Sequence, residues 1–317
     1  MKSSVFDEQL HFVSRQLGVM GEAKGFDYGT ALAQIERASD ASMGPAIEFM
    51  RALPCGGAEG HSSGKCLSRL VAEARPQDKS LGLFFRVYTE VRAELYDSVS
   101  GFLTSRKTEV IYSASILCFA VLLFALYTIK VMPSMADVYT GSDRELPVLT
   151  QFVIDSGQVV FGLVFVLLAV ALGVVFYVGQ SLQQHARLLL PIPKGIVSLV
   201  AFGSVSLFNQ CIVLSYMQLL LKLGESGDQA IQKATKLLAQ SGASDIHLPT
   251  AIESSAKLNT LGNEVNFQLA NVCLRLVESL DSFRVSLNAV FQAIIFMVVG
   301  AMIVAFYLPV FSLGEIF

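Results

Sequence analysis

The most constraining stretch of the chain is Val285 to Gly314, thirty residues without one Asp, Glu, Lys or Arg. A helix of about 20 apolar residues crosses the roughly 30 Å hydrocarbon core of a bilayer, so the run from Phe291 to Leu308 is expected to be a transmembrane helix. Its approach narrows the architecture further. Val265, Leu269, Val272, Leu276, Leu280, Phe283 and Leu287 recur at spacings of three and four, which places them on one face of a helix leading straight into the span. Pro309 is expected to close the span, because proline has no N–H to donate and clashes with the preceding turn.

The same arrangement occurs earlier. Phe84, Val87, Val91, Leu95, Val99 and Phe102 make a helical stripe, the uncharged run Val110–Ile129 follows, and Val131-Met132-Pro133 closes it. Two such units predict a duplicated architecture. Between them the uncharged run Ser156–Ala186 supplies another span. Tyr112, Tyr127, Tyr177 and Tyr307 fall near span ends, where an amphipathic ring is comfortable. Composition agrees: 53% of residues are hydrophobic and 15% charged, and the mean hydropathy is +0.56. No strand pattern occurs. The expected fold class is an all-α integral membrane protein with two helical-bundle domains and three transmembrane helices.

Orientation follows from basic residues, which stay on the cytoplasmic side of short connections. Residues 1–108 hold thirteen Lys and Arg and 181–287 hold eight, whereas 132–157 holds only Arg144. The expected division is a cytoplasmic helical domain at 1–108, a span at 109–131, a periplasmic loop at 132–157, a span at 158–180, a second cytoplasmic helical domain at 181–287, a span at 288–312 and a periplasmic tail at 313–317. The N-terminal Met1–Glu8 has no apolar core before its first acids and does not read as a signal peptide.

Gly195–Leu221 competes as a fourth span, since it too is uncharged. It carries Ser204, Asn209, Gln210, Ser215 and Gln218, however, and spanning would put the six basic residues from Lys222 to Arg284 outside. A buried helix of a cytoplasmic bundle is the competing reading. Beyond it, Ser226 and Gln229 are spaced as a capping box for a helix whose inner face is Ile231, Ala234, Leu237 and Leu238. Gly and Ser between Pro54 and Gly64 mark a loop, expected to stay mobile as far as Lys65.

The search for chemistry returns near misses. Gly60-His61-Ser62-Ser63-Gly64-Lys65-Cys66 approaches a phosphate loop, but Glu59 stands where the first glycine belongs, Cys66 replaces Ser or Thr, and no apolar strand precedes it. Cys55, His61 and Cys66 match no zinc spacing. His11, His61, His185 and His247 have no nucleophile or acid beside them in sequence, and each reads as a surface or helix-end residue. No catalytic, cofactor-binding or metal site is expected, and the chain is not read as an enzyme. The five cysteines, in a chain whose large segments face a reducing compartment, argue against a disulfide framework.

A small-molecule channel or transporter subunit is the rival reading. Its expected mark, an ionisable group at membrane depth, is missing from Val110–Ile129, Val159–Gln180 and Asn288–Leu308. What the spans offer is Ala169-x-x-x-Gly173 and Ala301-x-x-x-Ala305, small residues that let helices approach.

Three stretches carry a family likeness. Gly300 to Gly314 contains Tyr307-Leu308-Pro309-Val310-Phe311; the first loop reads Val131-Met132-Pro133 and then Leu146-Pro147-Val148-Leu149-Thr150; and Leu219 to Ile231 contains Gly224-Glu225-Ser226-Gly227. In these places the chain resembles the type II secretion F protein and type IV pilus platform (PilC-like) family, in which a span closes on Tyr-Leu-Pro-Ile-Phe and a turn opens each repeat. The family's Gly-Glu-x-x-Gly turn is replaced here by Ala74–Gly82 and Leu258–Glu264. The absence of a leading extension makes the chain look like the short type IVb members. The resemblance implies a bacterial inner-membrane, multi-pass platform protein with a cytoplasmic N-terminus and a periplasmic C-terminus. It implies partners too: a cytoplasmic hexameric assembly ATPase, pilin or pseudopilin subunits, other inner-membrane assembly proteins, a second copy of the chain and the lipid bilayer, but no nucleic acid. Pilus and secretion roles are not separated by it.

Overall fold

Apolar residues spaced by three and four have to be satisfied by burying one face of a helix, and the fold does so throughout. The computed structural model describes residues 3–21, 23, 25–55, 62–74, 81–131, 133–134, 137, 151, 158–193, 202–243 and 248–314. Regular structure among the described residues is helical: α1 (Ser3–Met20), α2 (Tyr28–Ala38), α3 (Gly44–Ala52), α4 (Ser62–Ala74), α5 (Leu81–Leu126), α6 (Gln158–Arg187), α7 (Phe202–Lys222), α8 (Gly227–Gln240), α9 (Thr250–Lys257) and α10 (Leu261–Gly314). Among the described residues, four stretches are long and apolar enough to cross a membrane, Ile111–Val131, Gly162–Arg187, Gly203–Lys222 and Leu261–Ala301.

The chain forms two compact units, one of Met1–Leu103 with Val178–Leu280 and one of Thr104–Tyr177 with Asp281–Phe317. The division falls inside α5, α6 and α10, so each of these helices has residues in both.

In the first unit the described members of the two sequence stripes face inward, whereas Phe283, in the second unit, is half-buried and the side chains of Val99, Phe102 and Leu287 lie outside those described. Val265, Leu269, Val272, Leu276 and Leu280 of α10 are buried, as are Phe84, Val87, Val91 and Leu95 of α5. Around them pack Leu10, Val13 and Leu17 of α1, Ile47 and Met50 of α3, and Leu67 and Leu70 of α4. The centre is α7, of which 78% is buried, against 12%, 24% and 19% for the other three long apolar stretches. Helices end on left-handed residues that return their last carbonyls to the chain. Gly224 (φ +92°) closes α7, with Glu225 N–H bonded to Leu220 O at 3.1 Å and Gly224 N–H to Leu221 O at 3.0 Å. Asn259 (φ +58°) closes α9 in the same way, with Thr260 N–H on Ser255 O at 3.0 Å.

The second unit is a three-helix core. Leu117, Ala120 and Phe124 of α5, Phe165 and Leu168 of α6, and Phe291, Ile295 and Val298 of α10 close on one another, with the rings of Phe124 and Phe165 edge-on at 5.8 Å. Its outward positions are apolar as well: Phe119, Leu122, Leu163, Val166, Phe296 and Ile303 are exposed. Such a surface is the inverse of a water-facing bundle and matches hydrocarbon as solvent.

Three sequence expectations are corrected here. Pro309 does not end its helix, because α10 runs on to Gly314; proline costs one backbone bond, and transmembrane helices tolerate that loss. The loop after Pro54 ends by Ser62, where α4 begins, so Gly64 and Lys65 are helical; a Cβ on Gly64 would lie 2.7 Å from the ring of Phe49, which shows how closely α4 packs on α3. Ser226 is the N-cap of α8 but makes no side-chain capping bond. Ala169 and Gly173 are exposed and form no seam within the chain, since the packed stripe of α6 is Phe165, Leu168 and the half-buried Leu172.

Candidate functional site

The residues with most structural consequence lie where α6 ends, in the first unit. Its cap is Leu189 at φ +50°, with Leu190 N–H on His185 O at 2.8 Å and Leu189 N–H on Ala186 O at 3.4 Å. A left-handed conformation costs a branched residue about 1–2 kcal/mol, and burial of the Leu189 side chain offsets it. Pro191 and Pro193 follow, neither with an N–H, so Ile192 carries the one amide donor of that tripeptide. Asn209 of α7 takes both of its polar groups: Ile192 N–H donates to Oδ1 at 2.8 Å and Nδ2 donates to Ile192 O at 3.1 Å. Two tyrosines finish the work, Tyr88 of α5 donating to Leu188 O at 2.9 Å and Tyr216 of α7 to Leu189 O. All these groups are buried, so each bond removes a desolvation penalty that water cannot relieve.

Around this knot, ionic and polar contacts tie the N-terminal helices to the later ones. Lys222 pairs with Glu90 at 2.7 Å, Lys236 with Glu73, and Arg187 with Glu8 at 3.4 Å. Arg69 donates to Gln240 O at 2.9 Å, and Gln218 Nε2 donates to Asn266 Oδ1 at 3.0 Å and Glu94 Oε2 at 3.3 Å. The exposed pairs contribute little stability each, but together they fix which faces meet. A cavity of about 200 Å³ lies beside the knot, lined by Lys65, Arg69, His185, Pro191, Pro193 and Gln240 among others.

His11 is half-buried in the middle of α1 rather than at a helix end. Burial holds its pKa down at about 4, helped by Arg92, Arg187 and Arg15. His185 is lowered by burial too, and its Nδ1 sits 2.7 Å from Ser181 O. Arg92 is buried with Ser14 Oγ at 2.9 Å and the Tyr88 ring beneath it at 5.6 Å. Neutral imidazoles and a desolvated guanidinium make a structural cluster, and what the arrangement does chemically is lock helices together.

Of the residues weighed in the sequence, Cys66 and Lys65 lie on α4 and Cys55 ends a 3₁₀ turn, while His61 and His247 lie outside the described residues. The structure brings together Cys211 and Cys273, which the sequence showed only as scattered. It also gives roles to Tyr88, Leu189, Asn209 and Tyr216, which sequence reasoning missed. The available signal was the Pro-x-Pro at 191–193 followed by Asn209 in a largely apolar helix.

No family model and no solved structure matches the chain. A curated relative, the type IV pilus assembly protein PilC of Pseudomonas aeruginosa, is 22% identical over 233 residues, which is 65% of this chain and 62% of the relative. The matched region is thus less than two thirds of that relative's length.

Proposed function

We propose that the chain is the inner-membrane platform of a type IV pilus, of the type IVb kind, or of a type II secretion machine, coupling a cytoplasmic assembly ATPase to the incorporation of pilin or pseudopilin subunits. The distant similarity to PilC supports the assembly role. The single structural observation that carries the coupling is continuity: α5 and α10, 46 and 54 residues long, each pass without a break from a bundle with a polar exterior into an apolar, outward-facing stretch. A helix of α10's length reaches about 80 Å and is stiff where a linker is not.

In this reading the duplicated domains 1–108 and 181–287 are cytoplasmic, and three helices cross the bilayer. The N-terminus is cytoplasmic and the C-terminus periplasmic, as the excess of Lys and Arg in those domains favours. The chain has no catalytic role; the motor ATPase, pilin, other inner-membrane proteins and a second copy are its partners.

Inserting Gly-Ser-Gly after Arg284 tests the proposal. The span that follows stays long and apolar enough to insert, while the flexible break uncouples it from the bundle. Surface pilin or secreted substrate, per molecule of membrane-inserted protein, should fall at least tenfold with ATPase co-purification unchanged. Normal assembly would show that α10 is no rigid coupler, and solute flux through vesicles carrying the purified protein would replace the platform with a channel.

A further inference from the structure

Cys211 of α7 and Cys273 of α10 place their sulfurs 3.4 Å apart, and both are free thiols. They belong to the same unit, 0% and 7% exposed, on helices whose facing residues are packed. The environment is asymmetric. A groove of about 450 Å³, lined by Leu95, Leu269, Ala270, Leu274 and Val277 with Glu94 at its edge, opens on Cys273, whereas Cys211 is sealed behind it.

We infer that Cys211 and Cys273 are a modification site, a dithiol that a peroxide closes to an intramolecular disulfide joining α7 to α10. A disulfide needs its sulfurs at about 2.05 Å, so closure requires an approach of about 1.4 Å. The groove admits a small oxidant to Cys273 and excludes bulky thiols from Cys211. The hydrogen bond between the two sulfurs, together with burial, raises the Cys211 thiol, while at Cys273 the same bond lowers the thiol against the opposing effects of burial and the Glu94 carboxylate. Cys273 is therefore the attacking sulfur and Cys211 the resolving one.

The chemistry balances in two steps. The Cys273 thiolate attacks one oxygen of hydrogen peroxide, breaking the O–O bond to leave a sulfenic acid, and the departing hydroxide takes up the thiol proton as water. The Cys211 sulfur then attacks the Cys273 sulfur; the S–S bond forms, the S–O bond breaks, and a second water leaves with the Cys211 proton. Two electrons pass from sulfur to oxygen, and a dithiol reductant reverses the product. The site is a property of the first unit and does not depend on what the chain assembles.

The test uses the full chain in detergent, reduced, freed of reductant, exposed to hydrogen peroxide, alkylated with N-ethylmaleimide and digested for mass spectrometry. A peptide containing Cys211 should appear joined to one containing Cys273 and vanish on reduction, and the oxidised protein should melt at a higher temperature. Cys211→Ser should stop at a dimedone-reactive sulfenic acid on Cys273, and Cys273→Ser should leave Cys211 unoxidised. The inference is overturned if both cysteines of the unaltered chain stay free, or if Cys273 stops at the sulfenic acid while Cys211 is still alkylated. Because the unaltered chain alone gives these readings, misfolding of a variant does not shield the idea.

Discussion

Replacing Asn209 by Leu isolates the contribution of the knot at the end of α6. The two side chains share one branched outline, the leucine being the bulkier, so no cavity forms, and the change removes the two bonds to Ile192 at 2.8 and 3.1 Å. Asn209 is 0% exposed and Ile192 2%, so water does not readily replace it. Each buried backbone group left without a partner costs about 1–3 kcal/mol, giving a loss of about 2–6 kcal/mol for the pair. For a unit of roughly 200 residues, each kcal/mol moves the melting midpoint by about 2–4 °C, so a drop of about 4–24 °C is expected. The assay is thermal unfolding of the purified protein in detergent, with hydrogen exchange at Ile192 as the local readout. Gln210→Ala, the adjacent half-buried residue, is the control and should stay within about 0.5 kcal/mol of the parent. A midpoint for Asn209→Leu equal to that control, with Ile192 still protected, would refute the reasoning.

Three further outcomes follow from the same structure. His11, held at about 4 against an ordinary 6.5, binds its proton less readily folded than unfolded, so its contribution is whole above pH 6.5 and is lost as pH falls toward 4; fully buried, that gap would equal about 3.4 kcal/mol, and discounted for its exposure about 1–2. His11→Gln should flatten the melting midpoint over that window, and an unchanged acid slope would count against it. Leu189→Gly relieves about 1–2 kcal/mol of left-handed strain but removes a buried leucine worth about 2–5 kcal/mol, so it should destabilise, and a gain in midpoint would show that strain dominates. In a cysteine-free background, Ser142→Cys should react with an impermeant thiol reagent in intact cells and Gln240→Cys should not; labelling at 240 would end the three-span topology.

How much of this was legible in the sequence depends on the range of the interaction. Val265 to Leu280 and Phe84 to Leu95 were readable because burying one helical face leaves a repeat of three and four in the chain itself. The turn at Gly224 was readable too, for a left-handed residue selects glycine locally. Leu189 was not, because there the fold tolerates the strain to bury the side chain. Nor was the meeting of Cys211 with Cys273 or of Tyr88 with Leu188, 62 and 100 residues apart, since no local pattern encodes which faces of two helices meet. The exposure of Ala169 and Gly173 teaches the converse lesson: small residues permit close approach but do not require it.

The case of α7 shows why length and hydropathy do not by themselves assign a span. Its mean hydropathy of 1.4 is below the 2.2 and 2.6 of the stretches in α5 and α6, but it too qualifies by composition. What separates it is where its polar groups find partners. Ser204 meets Ser279 at 3.0 Å, Asn209 holds Ile192, Tyr216 holds Leu189, and Gln218 reaches Asn266 and Glu94. Each of these partners lies in the first unit, with Cys273 among the groups packed against α7. Moving α7 into lipid would break these bonds, at about 0.6–2 kcal/mol for each one not remade by a neighbouring helix, and would uncover the residues it now shields. The second unit, by contrast, turns Phe119, Leu122, Val166 and Phe296 outward and loses nothing by meeting hydrocarbon. We therefore read α7 as an apolar helix retained in the bundle, where its few polar side chains select which backbone and which helices it packs against.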